Sequence, residues 1–231
     1  MNTLTSAPLA PLLAYLFELA ENTTPVSNSS LAALSGDEQI RLMQSKTEYR
    51  QLYAQLKDMP LAVSRETGRL LYMLARSCKA QHIVEFGTSF GISTLHLAAA
   101  VRDNGGGKII ASEFELSKVA LARNHFADAG VSDLIELRAG DALQTLATDL
   151  PASIDMLLLD GAKGLYPEIL RLVEPQLRPG ALIIADNADY SPEYLARVRA
   201  ADSGYLSLPF GEDVEVSVFT MRSPTSSAAQ C

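Results

Sequence analysis

Downstream of residue 80 the chain alternates two patterns: short, nearly unbroken apolar runs, and longer stretches in which apolar residues return every three or four positions. The runs at 82–86, 108–112, 134–138, 154–160 and 181–186 read as strands, and their unbroken apolar character suits a parallel sheet covered on both faces. Between them, 92–102, 116–129, 142–147 and 165–177 read as helices. Gly105-Gly106-Gly107 and Arg178-Pro179-Gly180 read as turns that return the chain to the sheet. A helix at 192–200 follows the fifth strand, and 205–208 with 214–221 form a closing, hairpin-like pair of strands. Upstream the pattern is helical only, at 11–22, 29–34, 37–57 and 64–78, with breaks at Thr23-Thr24-Pro25 and Ser35-Gly36. In the last of these helices Leu70, Leu71, Leu74 and Ala75 share one face. The alternation predicts an α/β fold with a mostly parallel sheet and helices on both faces. Residues 1–58 form a helical N-terminal extension, 59–222 the sheet-bearing domain and 223–231 a loose tail.

Composition narrows the function classes. With 231 residues, 48% hydrophobic and 20% charged, the chain is an ordinary globular protein able to bury a full core. Its net charge of −8 argues against a nucleic-acid partner, which would need clustered Lys and Arg. The run at 9–20 contains Glu18, lacks a basic leader and is too short to span a bilayer, so no membrane association is expected. Cys78 and Cys231 define no disulfide framework, which suits a reducing, cytoplasmic setting.

The first strand ends in Val84-Glu85-Phe86-Gly87-Thr88-Ser89-Phe90-Gly91. Gly87 and Gly91 let the backbone turn sharply and lie against a bound molecule, and Glu85 is placed to accept hydrogen bonds from it. Three chemistries use such a turn. A dinucleotide fingerprint wants Gly-x-Gly-x-x-Gly, and here Ser89 stands where close approach of a pyrophosphate favours glycine. Gly87-Thr88-Ser89-Phe90-Gly91 satisfies a hydrolase nucleophile elbow, but the last histidine, His125, precedes the late strand after which a triad needs it. An S-adenosylmethionine (SAM) loop wants an acid at the strand end, glycines at the turn, a second acid for ribose hydroxyls and a polar group beside adenine. Glu85, Gly87 with Gly91, Glu113, and Gly140-Asp141-Ala142 supply these in order at the ends of the first three strands, along the sheet edge where open α/β folds bind ligands.

Glu85-x-Gly87-x-x-x-Gly91, Leu159-Asp160-Gly161-Ala162-Lys163 and Ala185-Asp186-Asn187 resemble the class I SAM-dependent O-methyltransferases of the catechol and caffeoyl-CoA type, over residues 60–220. The resemblance implies a Rossmann-like class I methyltransferase fold with a seven-stranded sheet. It implies cofactor contacts from Leu61, Val63, Glu85, Gly87, Thr88, Ser89, Gly91, Ser93, Glu113, Asp141, Ala142 and Asp160. It also implies a small-molecule hydroxylated acceptor, with the N-terminal helices covering it or joining a homodimer.

Asp160 and Asp186 end the fourth and fifth strands; if these are neighbours, their backbones lie about 4.8 Å apart. Carboxylates that close repel unless a cation sits between them, and a hard divalent ion with ligands at about 2.0 to 2.2 Å answers this, with the Asn187 carbonyl as third donor. The matching positions of the resembling family bind magnesium or a similar ion. Lys163 corresponds to a family lysine that acts as general base or steers the acceptor oxygen, so Lys163 and Asp160 are the expected catalytic pair. His82, His96 and His125 read as packing or surface residues. Two features depart from the catechol-acting members: Gly161 and Ala162 replace large aromatic residues, and none of Glu212, Asp213 and Glu215 falls in register for their late acidic contact. The acceptor is therefore read only as a small hydroxylated molecule, aromatic or phenolic. A nicotinamide-dependent oxidoreductase and a non-catalytic SAM-binding protein are the alternatives.

Overall fold

The computed structural model describes residues 2–23, 34–211 and 213–220. The helix expected at 29–34 falls outside these residues except for residue 34, as do Thr24, Pro25, Glu212, Cys231 and the tail at 223–231. Seven strands form one sheet: β1 (His82–Phe86), β2 (Lys108–Glu113), β3 (Ile135–Ala139), β4 (Ile154–Leu159), β5 (Leu177–Ala185), β6 (Tyr205–Phe210) and β7 (Val214–Phe219). Their order is β3-β2-β1-β4-β5-β7-β6. The first five are parallel, and β7 enters antiparallel between β5 and β6. Connections leave β1 toward β3 on one side and β4 toward β5 on the other, so the switch point lies between β1 and β4, where a crevice opens above the strand ends.

Two apolar layers sandwich the sheet. Helices α1 (Leu9–Asn22), α4 (Arg65–Ser77), α5 (Ile92–Asp103) and α6 (Leu116–Asp128) pack with Ile83, Ile109 and Met156 on one face. Helices α7 (Ala142–Thr145), α8 (Tyr166–Val173) and α9 (Pro192–Arg199) pack with Val84, Leu157 and Ile183 on the other. Leu9, Leu13, Leu16 and Phe17 place α1 inside the first layer, so the N-terminal helix shares the core of the sheet. Among the described residues no helix is long and apolar enough to cross a membrane.

Two boundaries differ from the sequence reading in kind. The helix expected at 37–57 is two helices, α2 (Gly36–Gln44) and α3 (Tyr49–Gln55). Ser45 divides them: its Oγ accepts from the N–H groups of Thr47 and Glu48, donors that a continuous helix would have paired internally. The turn expected at Arg178-Pro179-Gly180 lies within β5, where the register with β4 jumps between Ile154 and Met156. Gly180, at φ +78, admits the bulge, and Pro179 sits where no ladder donor is needed. The helix expected at 165–177 also ends early, α8 giving way to a short 3-10 turn at Glu174–Gln176 that contains Pro175. Other boundaries fall within two residues of expectation.

Candidate active site

Above the C-terminal ends of β1, β2, β3 and β4 lies a cleft that takes in about 730 Å³, part of it open solvent. Gly87, Ser89, Glu113, Asp141, Ala142, Asp160 and Leu61 line it, and all were expected cofactor contacts. Gly87 has φ +94, and a Cβ there would come within 2.6 Å of the Asp160 carbonyl and the Gly161 nitrogen. Only glycine lets β1 turn this close to the end of β4. Ser89 is also left-handed, at φ +49. That conformation is held from two sides: its N–H donates to Glu113 at 2.7 Å, and its Oγ accepts from the Leu61 N–H at 3.1 Å.

Val63, Glu85, Thr88, Gly91 and Ser93 stand behind the wall of the cleft and do not line it. For Glu85 this corrects the expectation of a ligand contact. Its carboxyl is fully buried and accepts from the hydroxyls of Thr88, Ser93 and Thr94, tying the turn to the first residues of α5. Burial dominates over these hydrogen bonds and pushes its pKa up to about 7. Gly91 is needed for packing: at φ +91 its missing side chain makes room for the Phe126 ring.

At the other end of the cleft, the Asp160 N–H bonds the Phe86 carbonyl and the Asp186 N–H bonds the Leu159 carbonyl, which brings both aspartates to adjacent strand ends. Burial first, and the Asp160 charge second, raise the Asp186 pKa to about 7. Lys163, nearly buried, donates to Asp160 Oδ1 at 2.9 Å. Burial opposes the Lys163 charge, but Tyr166, Asp160 and Asp186 more than offset it, and its pKa rises well above that of a free lysine. Asn187 is left-handed at φ +48, and its Nδ2 donates to Asp213 at 3.0 Å. Since a carboxylate only accepts, this bond fixes the amide orientation and leaves Oδ1 as the free donor atom. Among the described residues no group of three or more His, Cys, Asp or Glu side chains gathers to hold a metal. Two crowded carboxyl groups and an oriented amide oxygen form an oxygen-only set that fits a hard divalent cation. Gly161 packs against the Phe86 ring, where a Cβ would lie 2.5 Å away, so the space beside Asp160 is filled from β1.

His96 and His125 take packing roles as expected. His96 Nδ1 meets the Ile92 carbonyl and its ring the edge of Phe17, and His125 Nδ1 meets the Phe90 carbonyl. Among the lining or flanking residues that sequence reasoning missed are Tyr49, Arg50, Tyr53, Phe114 and Lys118. Tyr49 and Tyr53, spaced i and i+4, turn one side of α3 toward the cleft, and the Tyr53 hydroxyl donates to the Gly161 carbonyl at 3.4 Å. Arg50 pairs with Asp141 at 2.5 Å and lies over the rings of Tyr49 and Phe114. The aromatic pair at helical spacing was the available signal, hidden because 37–57 reads as one long helix.

Known proteins resemble this chain in sequence and in fold. The sequence profile of the O-methyltransferase family matches residues 34–205. A catechol O-methyltransferase of Niastella koreensis is 34% identical over 130 residues, covering 55% of this chain and 58% of that protein. A catechol O-methyltransferase of Mycobacterium tuberculosis is 31% identical over 143 residues, covering 62% and 64%. The chain thus matches less than two thirds of the length of these curated relatives. Among solved structures, the O-methyltransferase TomG of Streptomyces achromogenes, in complex with SAM, superposes with a TM-score of 0.62 at 26% identity, covering 83% of this chain and 94% of that one.

Proposed function

Because this chain belongs to the O-methyltransferase family, we propose that it transfers the methyl group of S-adenosylmethionine to a hydroxyl of a small aromatic or phenolic acceptor, assisted by a divalent metal such as magnesium. The observation that carries this reading is the shared cleft, in which the Gly87 turn, the Glu113 carboxylate and Asp141 face the same space as Asp160. Glu113 keeps lone pairs free beyond its bonds to the Ser89 and Glu115 N–H groups, as a partner for ribose hydroxyls requires. Phe114, Leu61 and Ala142 offer apolar surface to a base. Tyr49, Tyr53 and Phe86 line the cleft with aromatic rings, which favours an aromatic acceptor.

Asp160, Asp186 and Asn187 would hold the metal. When bound, such an ion supplies Lewis acidity that lowers the pKa of a hydroxyl. Lys163 contributes a fixed positive charge next to Asp160, which favours an acceptor oxygen in its anionic form. Tyr166, donating to the Asp186 carbonyl at 2.7 Å, holds the end of β5 in place. The walls of the cleft contribute alignment, and bringing two reactants into register is worth about 7 to 11 kcal/mol.

Calorimetry with S-adenosylhomocysteine tests cofactor binding, and transfer of a labelled methyl group to a panel of catechols, phenols and hydroxylated metabolites tests the reaction. Activity should fall at least about a hundredfold in Asp160→Asn and respond to chelator. Transfer that is indifferent to both would remove the metal. Cofactor binding with no transfer to any acceptor would mark a binding protein. The family match favours the methyltransferase over a nicotinamide oxidoreductase; enhanced NADH fluorescence on mixing would reverse that preference.

A further inference from the structure

The cleft is acidic. Glu113, Glu115, Asp141 and Asp160 line it, and among the described lining residues Lys118 is the one cation. Its position follows from α6, whose first turn is capped by Glu115 and whose inward face carries Lys118 with Val119 and Ala122. The Lys118 residue is 4% exposed. Its direct polar contact is one long donation to Ser89 Oγ at 3.4 Å, and its ammonium lies 5.9 Å from the centre of the Phe90 ring. No carboxylate among the described residues reaches ion-pair distance. Glu113 is nearby and offsets part of the charge, but it is not within ion-pair distance, and its two oxygens accept from the N–H groups of Ser89 and Glu115. The result is a buried ammonium with donors to spare, facing a ligand cleft. Burial lowers its pKa, the direction expected of a charge whose desolvation is incompletely offset.

Such a charge is costly unless an anion reaches it. Under the function proposed above, on which this step rests, the ligand is cationic at its sulfur and at its amino group, and its ribose hydroxyls are neutral. Its single anionic group is the carboxylate of the amino-acid portion. We infer that Lys118 is a binding residue for that carboxylate, with the Ser89 hydroxyl beside it. The nucleoside end is then held by Glu113 and Asp141, and one buried cation fixes the opposite end of the donor.

The test compares S-adenosylhomocysteine with its decarboxylated analogue, which lacks the carboxylate alone, by calorimetry on the wild type and on Lys118→Met. A charge-assisted hydrogen bond predicts that the wild type prefers S-adenosylhomocysteine about tenfold to a hundredfold. Lys118→Met should lose that preference while binding the analogue within about threefold of wild type. Equal weakening of both ligands would assign Lys118 to the ribose or to structure and overturn the inference, as would a preference left intact. Lys118→Gln repeats the measurement if the methionine variant does not fold, and a wild type that binds both ligands equally refutes the inference without any variant. If the wild type binds neither ligand, the proposed function fails first, and that outcome is distinct from the others.

Discussion

Glu85 shows how one side chain can be read correctly in kind and wrongly in place. An acid before Gly87 was legible as part of the turn; that it faces inward was not, because strand position alone does not say where the partners Thr88, Ser93 and Thr94 will point. Burial raises its pKa from 4.5 to about 7, so between these values the folded protein holds a proton that the unfolded chain has released. Stability from this group is therefore full below about pH 4.5, falls as pH rises to about 7 and is flat above, by on the order of 3 kcal/mol. Glu85→Gln keeps the shape and hydrogen-bonding reach without the ionisation. In thermal melts it should gain on the wild type between pH 5 and pH 8, by several degrees for a chain of this size; parallel melting curves at all pH values would contradict the assignment. Gly87 was legible for the right reason. Gly87→Ala places a methyl group against the Asp160 backbone at φ +94, and it should cost about 1 to 3 kcal/mol with loss of S-adenosylhomocysteine binding.

Strands and helices of the parallel sheet were legible because their apolar runs are long and their glycine turns unambiguous, whereas α3 was not. A continuous helical pattern over 37–57 hides the break that Ser45 makes with its side chain, and that break is what aims Tyr49, Arg50 and Tyr53 at the cleft. The opposite error occurred at β5, where Pro179 and Gly180 signal a turn in sequence but serve a bulge in the sheet. One of the contacts of α3 at the cleft mouth, beside the Tyr53–Gly161 bond, is the partly exposed Arg50–Asp141 pair with its stacking on Phe114. An ion pair this exposed contributes only about 0.2 to 1 kcal/mol. Arg50→Ala should therefore leave the melting temperature within a few degrees of wild type while speeding amide exchange across Tyr49–Gln55. Exchange there unchanged by the substitution would show that α3 is held by its buried Leu52 and other packing.

At the scale of the whole molecule, the sheet order brings residues far apart in sequence to one edge: the Gly87 turn, Glu113, Asp141 and Asp160 follow four different strands yet face one cleft because the switch point lies between β1 and β4. The sequence pattern predicts the parallel strands and their crossovers, but the insertion of β7 between β5 and β6 depends on pairing that short runs do not encode. It also treats α1 as part of an extension, since nothing in an amphipathic helix says which surface will receive it. The structure seats Leu9, Leu13, Leu16 and Phe17 in the same apolar layer as α5 and the sheet. Burying a side chain of this type contributes about 1.5 to 3 kcal/mol, so four of them together rival the about 5 to 15 kcal/mol that separates a folded domain from its unfolded chain. Removing residues 1–23 should therefore unfold or severely weaken the sheet itself, including the cleft nearly a hundred residues downstream, rather than trim a dispensable cover. Calorimetric melting of the truncated chain decides between the two: a single transition lowered by tens of degrees, or no transition, is expected. A melt within a few degrees of the full chain would mean that the layer beneath α1 closes without it.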